Sequence, residues 1–418
     1  MAASHRHDLA QLNGTPRRRL YTGADLARAR TIEDLRARAH RKMPRFVLEY
    51  LEAGAGEETT LERERDALAE WRFLPRTLTD ESERDVHGTL LGTRAAMPLA
   101  VAPTGLNGIF RRHGDLALAE GAARAGVPFV QSTMSNDRME DVARVPNLRH
   151  WWQLYVFGGE EVWQSLVDRA DAAGCEALVL TTNAQLFGRR EWYARTRATK
   201  TRPSLATLAN AARHPQWTLR TFSHGMPAFV NVRDHVPKDR RGFFDSAFWI
   251  REHMPKALSW DMVAKIRDRW KRPFLLKGLL HPDDVRLALD AGVDGVILGS
   301  HGGRQAESSV SALDVIAPAR AIVGDRIALY MSGGIRRGSD ILKALALGAD
   351  AVLAGRAPLY GLCAGGADGV HRALEILRDE MRNELGQIGA PSLAHLGREM
   401  LVRTDSLPLP SEAAQPAG

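Results

Sequence analysis

Eight short apolar runs, each followed by a stretch of helical periodicity and each ending in polar residues, predict an α/β chain folded as a (β/α)8 TIM barrel. The runs are "PLAVAPTG" (98–105), "VPFVQSTM" (127–134), "HWWQLYVF" (150–157), "CEALVLTTN" (175–183), "PFLLKGLL" (273–280), "DGVILGSHGG" (294–303), "RIALYMSGG" (326–334) and "DAVLAGR" (350–356). Their apolar content is nearly continuous rather than alternating, which marks strands buried on both faces and therefore a parallel sheet covered by helices. The intervening segments include "DLALAEGAARAG", "EEVWQSLVDRADAAG", "DDVRLALDAG" and "SDILKALALG". They close on a glycine suited to a left-handed C-terminal cap. An open doubly wound sheet is the other arrangement of this pattern, but eight units favour closure.

Three segments fall outside the repeating unit. Residues 1–97 form an N-terminal helical extension carrying "PRFVLEYLEAGAGEETTL". The barrel occupies 98–395, with a long insert at 188–258 after strand 4 that contains "SLATLANAARHPQWTLRTF" and "FFDSAFWI". Residues 396–418 read as a flexible C-terminal tail, because "TDSLPLPSEAAQPAG" is rich in proline, alanine and serine.

A chain with 44% hydrophobic and 26% charged residues can bury a sizeable core, which excludes a disordered or collagen-like protein. Cys175 and Cys363 have no metal-binding spacing, so neither a metal site nor a disulfide is expected, as suits a reducing cytoplasm. The net charge of +7 raises the question of nucleic acid. The basic clusters "TPRRRL", "HRKMPR" and "PKDRRG" are not interleaved with stacking aromatics, so no nucleic-acid partner is expected. An acidic substrate or an anionic membrane surface accounts for the charge more simply. The N-terminus "MAASHRHDLAQLNG" lacks an apolar leader core, and no run approaches the ~20 apolar residues of a membrane span. The expectation is a cytoplasmic protein, with peripheral contact on the inner face of the membrane left open.

In such barrels the strand C-terminal ends surround the active site, because the loops there are free while the interior is packed. Here those ends carry Thr104, Ser132, Gln153 with Tyr155, Thr181 with Asn183, Lys277, His301 with Arg304, Ser332 and Arg356. One polar strand end means little; eight of eight mark a site. "SGGIRRGSD" and "AGRAPLYG" place Gly333, Gly334, Arg336, Gly355 and Arg356 after the last two strands, where barrels bind phosphate through backbone N–H groups and a helix N-terminus. Glycine there lets a phosphate oxygen approach the backbone. A phosphorylated cofactor is therefore expected. "GAGEE" (54–58) is no dinucleotide fingerprint, since no strand precedes it.

The ordered set "EYLEAGAGEETTL", "APTGLNG", "QSTMS", "WQLYV", "LTTNAQLFGRRE", "LKGLL", "SHGGRQ", "SGGIRRGSDILKALALGA" and "LAGRAPLYG" resembles the FMN-dependent α-hydroxy-acid dehydrogenase and oxidase family over roughly residues 25–395. "APTGLNGIFRRHGD" and "ARHPQW" are most similar to its bacterial L-lactate and mandelate dehydrogenases. The resemblance implies FMN as cofactor and oxidation of an L-2-hydroxy acid to the 2-oxo acid. It makes His301 the base, and Arg304, Arg190 and Tyr50 the carboxylate clamp. Tyr155 would bond the substrate oxygen, and Lys277 would sit by the flavin N1–C2 edge. Pro103, Thr104, Gly105, Ser132, Gln153 and Thr181 would contact the ring, and Ser332, Gly333, Gly334, Arg336, Gly355 and Arg356 the ribityl phosphate. It further implies a homo-oligomer, a tetramer, and a quinone, protein or O2 as electron acceptor. Gly105 resembles the dehydrogenases more than the oxidases.

Three strand ends depart from the family pattern, at four residues. Asn183 stands where the family has an aspartate that orients the catalytic imidazole. The amide keeps the hydrogen bond but removes a charge worth about 4 kcal/mol at 4 Å and an effective dielectric near 20. "SNHGGRQLD" reads "GSHGGRQAE", so Gly299 and Ser300 replace polar contacts, and the aspartate of "DGG" is Ser332. These changes suggest a specialised member with an unusual substrate. Two alternatives stay open: decarboxylating, monooxygenating or non-redox FMN chemistry, and a non-catalytic FMN-binding barrel.

Overall fold

The computed structural model describes residues 25–80, 82–196, 204–223, 225–255 and 258–404. Each apolar run supplies one strand: β1 (Leu99–Val101), β2 (Phe129–Ser132), β3 (His150–Leu154), β4 (Ala177–Thr181), β5 (Phe274–Leu279), β6 (Gly295–Leu298), β7 (Ala328–Ser332) and β8 (Ala351–Ala354). They pair in parallel in chain order, and β8 returns to β1 with Val352 opposite Leu99. That last pairing closes the barrel and rules out the open sheet.

Side chains alternate along each strand, as the pleat requires. Ala100, Val130, Trp151, Val179, Leu275, Ile297, Tyr330 and Leu353 point inward into one cluster. Leu99, Val101, Phe129, Trp152, Leu178, Phe274 and Val296 point outward to the helices. Inside, the Trp151 and Tyr330 rings stack with centroids 6.3 Å apart. A hairpin of strands Gly88–Leu90 and Thr93–Ala95 adds Leu90 and Ala95 to that cluster, and the Leu91 N–H donates to Tyr330 Oη at 2.9 Å. The hairpin plugs the N-terminal end, so ligands have access only from the other mouth.

Helices Arg45–Glu52 and Thr59–Glu70 lie across that mouth. Their linker is tied down by the Ala55 N–H donating to Gly303 O and the Gly56 N–H donating to Arg189 O, both at 2.8 Å. Helix Ile32–Lys42 starts with a capping box of Thr31 and Asp34 and packs against helix Arg356–Gly365. The latter crosses helix Ala367–Gln387 so closely that a Cβ on Gly369 would sit 1.9 Å from Gly361 O. The insert forms helices Leu205–Ala212, Pro215–Phe222 and Phe243–Glu252.

The composition assigns 396–418 to a loose tail, but its first part is built into the fold. Strand Leu401–Arg403 pairs antiparallel with Trp71–Phe73, buries Leu401 and Val402, and brings Arg403 within 3.0 Å of Glu70. Proline-rich composition downstream masks this short apolar strand. Residues 405–418, and the basic run at 15–20, lie outside the described residues.

Candidate active site

A cavity of about 700 Å³ opens at the C-terminal ends of the strands. His301, Tyr50, Tyr155, Arg190, Arg304, Lys277, Pro103, Thr104, Gly105, Ser132, Ser332, Gly333, Gly334, Arg336, Gly355 and Arg356 line it. Asn183, Gln153 and Thr181 stand behind that wall. Thr181 is buried at the end of β4 opposite Lys277, and Asn183 and Gln153 act on the residues in front of them.

His301 sits in the left-handed region at φ 62°, a conformation that costs a non-glycine residue energy and is concentrated at functional sites. Its Nδ1 lies 3.3 Å from Asn183 Oδ1 and its Nε2 lies 3.5 Å from Tyr155 Oη. The Asn183 amide donates to Gly299 O at 3.1 Å, which turns Oδ1 toward the ring. That network assigns the proton to Nδ1 and leaves the Nε2 lone pair facing the cavity. Burial, reinforced by Lys277, Arg190, Arg304 and Arg356, holds the imidazole well below its ordinary pKa. It is a neutral base at pH 7. Burial pushes the Tyr155 phenol up, so it keeps its proton and can donate.

The three residues expected to clamp a carboxylate come from three elements. Arg304 Nη1 donates to Ala53 O at 3.0 Å, and its guanidinium lies 5.2 Å from the Tyr50 ring. Tyr50 Oη donates to Gly105 O at 3.2 Å. Arg190 precedes the short helix Glu191–Ala194 of the insert. Burial and the neighbouring Arg190 and Arg356 disfavour the charge on Arg304, yet a guanidinium keeps it. Positive charge is thus held in excess where an anion can balance it.

The other end of the cavity fits a phosphorylated flavin. Lys277 is buried, its amine drawn down to about 8 by desolvation, and Nζ makes no hydrogen bond to any described residue. Gln153 Oε1 accepts from Ser132 Oγ at 2.9 Å while its Nε2 is buried without an acceptor among the described residues. A buried orphan donor is costly unless a ligand satisfies it. A Cβ on Gly355 would meet nothing closer than 3.8 Å, and helix Arg356–Gly365, which follows it, has no side-chain cap. That helix end is free to hold a phosphate.

Some details differ from the sequence-based expectation. The N-terminus of helix Gly338–Ala346 is already capped: the Arg336 and Arg337 N–H groups donate to Asp340 and the Gly338 N–H to Glu380, all within 2.9 Å. Arg356 spends three donors on the carbonyls of Leu51, Glu52 and Gly302. Glycine at 303, 333 and 334 is already demanded by helix Thr59–Glu70, whatever a ligand requires. A Cβ there would lie 2.7 Å from Leu61 backbone, 2.4 Å from the Glu64 carboxylate and 2.6 Å from Glu64 O, respectively.

Glu64 itself was not expected at the site. It is fully buried, accepts from Ser300 Oγ through Oε1, and leaves Oε2 without a partner among the described residues. Burial raises its pKa, opposed by Ser300, Arg356, Lys277 and Arg336. Its signal was present in the sequence: Thr60, Glu64, Ala67 and Leu68 form a helical stripe that faces the core. Ser300 Oγ in turn accepts the Gly303 N–H at 2.9 Å, so this carboxyl group anchors the His301 loop. Also unforeseen are the aromatic wall residues Tyr193, Phe229 and Phe248, contributed by the insert, together with Phe110 and with Phe187 just before the insert.

Comparisons with known proteins agree with this geometry. The profile of the FMN-dependent dehydrogenases matches residues 39–403. The chain is 40% identical over 371 residues to (S)-mandelate dehydrogenase of Pseudomonas putida, spanning 88% of this chain and 93% of that protein. It is 35% identical over 372 residues to an L-lactate dehydrogenase of Caulobacter sp. strain K31, spanning 89% and 98%. The crystal structure of the monotopic membrane protein (S)-mandelate dehydrogenase superposes with a TM-score of 0.86 at 39% identity, covering 90% of this chain and all of that one. A barrel mouth that offers an unpaired lysine, an orphan amide donor and a neutral histidine among arginines, on a chain so similar to these enzymes, belongs to the FMN-dependent dehydrogenase family of oxidoreductases acting on CH–OH groups.

Proposed function

We propose that the protein oxidises an (S)-2-hydroxy acid with a bulky, aromatic side chain to the 2-oxo acid, with His301 as the base. The observation that carries the reading is the neutral His301 Nε2 pointing into a cavity between Tyr155 and the Arg190–Arg304 pair. Lys277, Gln153, Ser132 and the backbone at 103–105 would hold the isoalloxazine, and Gly355 with Arg336 the phosphate; when bound, FMN supplies the two-electron acceptor.

The chain's own groups do the rest. Arg304 and Arg190 bind the carboxylate, and their excess charge strengthens that contact in a partly buried site. Tyr155 donates to the substrate oxygen. His301 Nε2 takes a proton from the substrate, and Asn183 Oδ1 holds the ring at Nδ1 while the imidazolium forms. Phe110, Phe187, Tyr193, Phe229 and Phe248 exclude water and favour an aryl group. The exposed Leu205, Leu208 and Leu219 on the insert support peripheral docking on the inner face of the membrane, where a quinone is an accessible acceptor.

The test is anaerobic mixing of FMN-loaded protein with a panel of 2-hydroxy acids, following loss of flavin absorbance. Aryl-substituted acids should reduce the flavin faster than lactate. A preference for lactate, or equal rates for both enantiomers, would remove the substrate assignment.

A further inference from the structure

A second cavity of about 260 Å³ lies between helix Ile32–Lys42, the loop after β1 and insert helix Pro215–Phe222. Its apolar floor is Met43, Phe110, Trp217 and Leu362. Trp217 is fixed there, its Nε1–H donating to Ile109 O at 2.8 Å and its ring packed edge-on against Phe46 and Phe222. The remainder of the lining includes Arg41, Lys42, Arg111, Arg213 and Arg220, and no aspartate or glutamate. Lys42 has a structural task, donating with Arg38 to Ala364 O at the end of helix Arg356–Gly365. Among the described residues the other four form no ion pair. Burial, with the crowding of Arg38, Arg220 and Arg111 around it, lowers the Lys42 pKa.

We propose that this cavity is a binding site for a phosphate-type anion carrying an apolar substituent. Four arginines on three segments line a cavity with a preformed aromatic floor, which suits a phosphate group with an apolar group beside it. The organic part has a path onto the insert, where Leu205 and Leu219 are 84% and 67% exposed. The same chemistry is offered by an anionic phospholipid headgroup and by a soluble phosphate ester. The site does not depend on the flavin reading, since Phe110 is the single residue lining both cavities.

The experiment uses the FMN-loaded full chain and two charge-matched variants. Arg213→Glu with Arg220→Glu alters the cavity. Arg84→Glu with Arg94→Glu alters exposed arginines away from it, Arg94 lying in the hairpin that plugs the opposite end of the barrel. Binding is measured by calorimetry with inorganic phosphate, and by flotation with phosphatidylcholine vesicles with and without phosphatidylglycerol. The cavity variant should lose about tenfold in anion binding, the control about twofold or less. Flavin reduction by substrate should be unchanged in both. Vesicle binding that phosphate competes away assigns the site to a headgroup; phosphate binding without vesicle binding assigns it to a soluble ester. Equal losses in the two variants, equal binding to neutral vesicles, or no phosphate binding by the wild type overturns the proposal.

Discussion

Restoring a carboxylate beside His301 is the sharpest perturbation available. In Asn183→Asp the new oxygen would stand where Oδ1 stands, 3.3 Å from Nδ1. At an effective dielectric of 20 a unit charge pair at that distance is worth roughly 5 kcal/mol. Two effects subtract from this: desolvation of a half-buried carboxylate, and loss of the amide bond to Gly299 O, about 1–2 kcal/mol. The surrounding Lys277, Arg190 and Arg304 offset part of the desolvation. A net gain of about 1.5–3 kcal/mol remains for the forming imidazolium, a roughly ten- to hundredfold faster flavin reduction. The assay is anaerobic stopped-flow mixing with saturating 2-hydroxy acid, at matched FMN content. The sign on pH is fixed: the carboxylate raises the His301 pKa, so the acid limb of the rate profile moves to higher pH. A variant that reduces its flavin no faster than wild type, with an unmoved acid limb, would refute the idea that the missing charge limits this site.

Lys277→Met should lower the flavin midpoint potential and slow reduction by about 10²-fold or more, because it removes the buried charge that would face the reduced ring; spectroelectrochemistry reads the potential separately from turnover. Gly369→Ala should destabilise the fold by about 2–4 kcal/mol in urea, since its Cβ would collide with Gly361 O at the helix crossing. His150 is buried, its pKa lowered to about 4, with Nε2 donating to Gln131 Oε1 at 3.0 Å. Its folded pKa lies below the unfolded value, so its stabilisation is complete above pH 6.5 and is lost as pH falls toward 4, about 3 kcal/mol in all. His150→Gln should flatten the pH dependence of the urea midpoint over that window.

The barrel was legible because every strand is a near-continuous apolar run closed by polar residues, a pattern that both period and position report. The lining followed from the same rule, since strand ends converge at one mouth whatever the loops do. Glu64 is not legible from the strand-end rule, and the motifs that bring in Tyr50 and Arg190 do not single it out, although its place on a core-facing helical stripe gives a signal. Phe229 and Phe248 are not legible for a different reason: they belong to an insert whose path over the mouth is set by tertiary packing, with no periodicity pointing there. The glycines at 333 and 334 read in the sequence as room for a ligand, and the fold adds a second reason for them: the neighbouring helix Thr59–Glu70 occupies the space a Cβ would need. Asn183 was read as an orienting acceptor, and the 3.3 Å contact to His301 agrees with that geometry.

The central claim is that the Nε2 of His301 takes the substrate proton in a cavity that holds FMN. FMN-loaded His301→Gln, mixed anaerobically with the preferred acid, tests it most directly. The acid should still bind, read as a perturbed flavin spectrum, while reduction slows by about 10²–10⁴-fold. Reduction at the wild-type rate by a variant that binds the acid normally would contradict it.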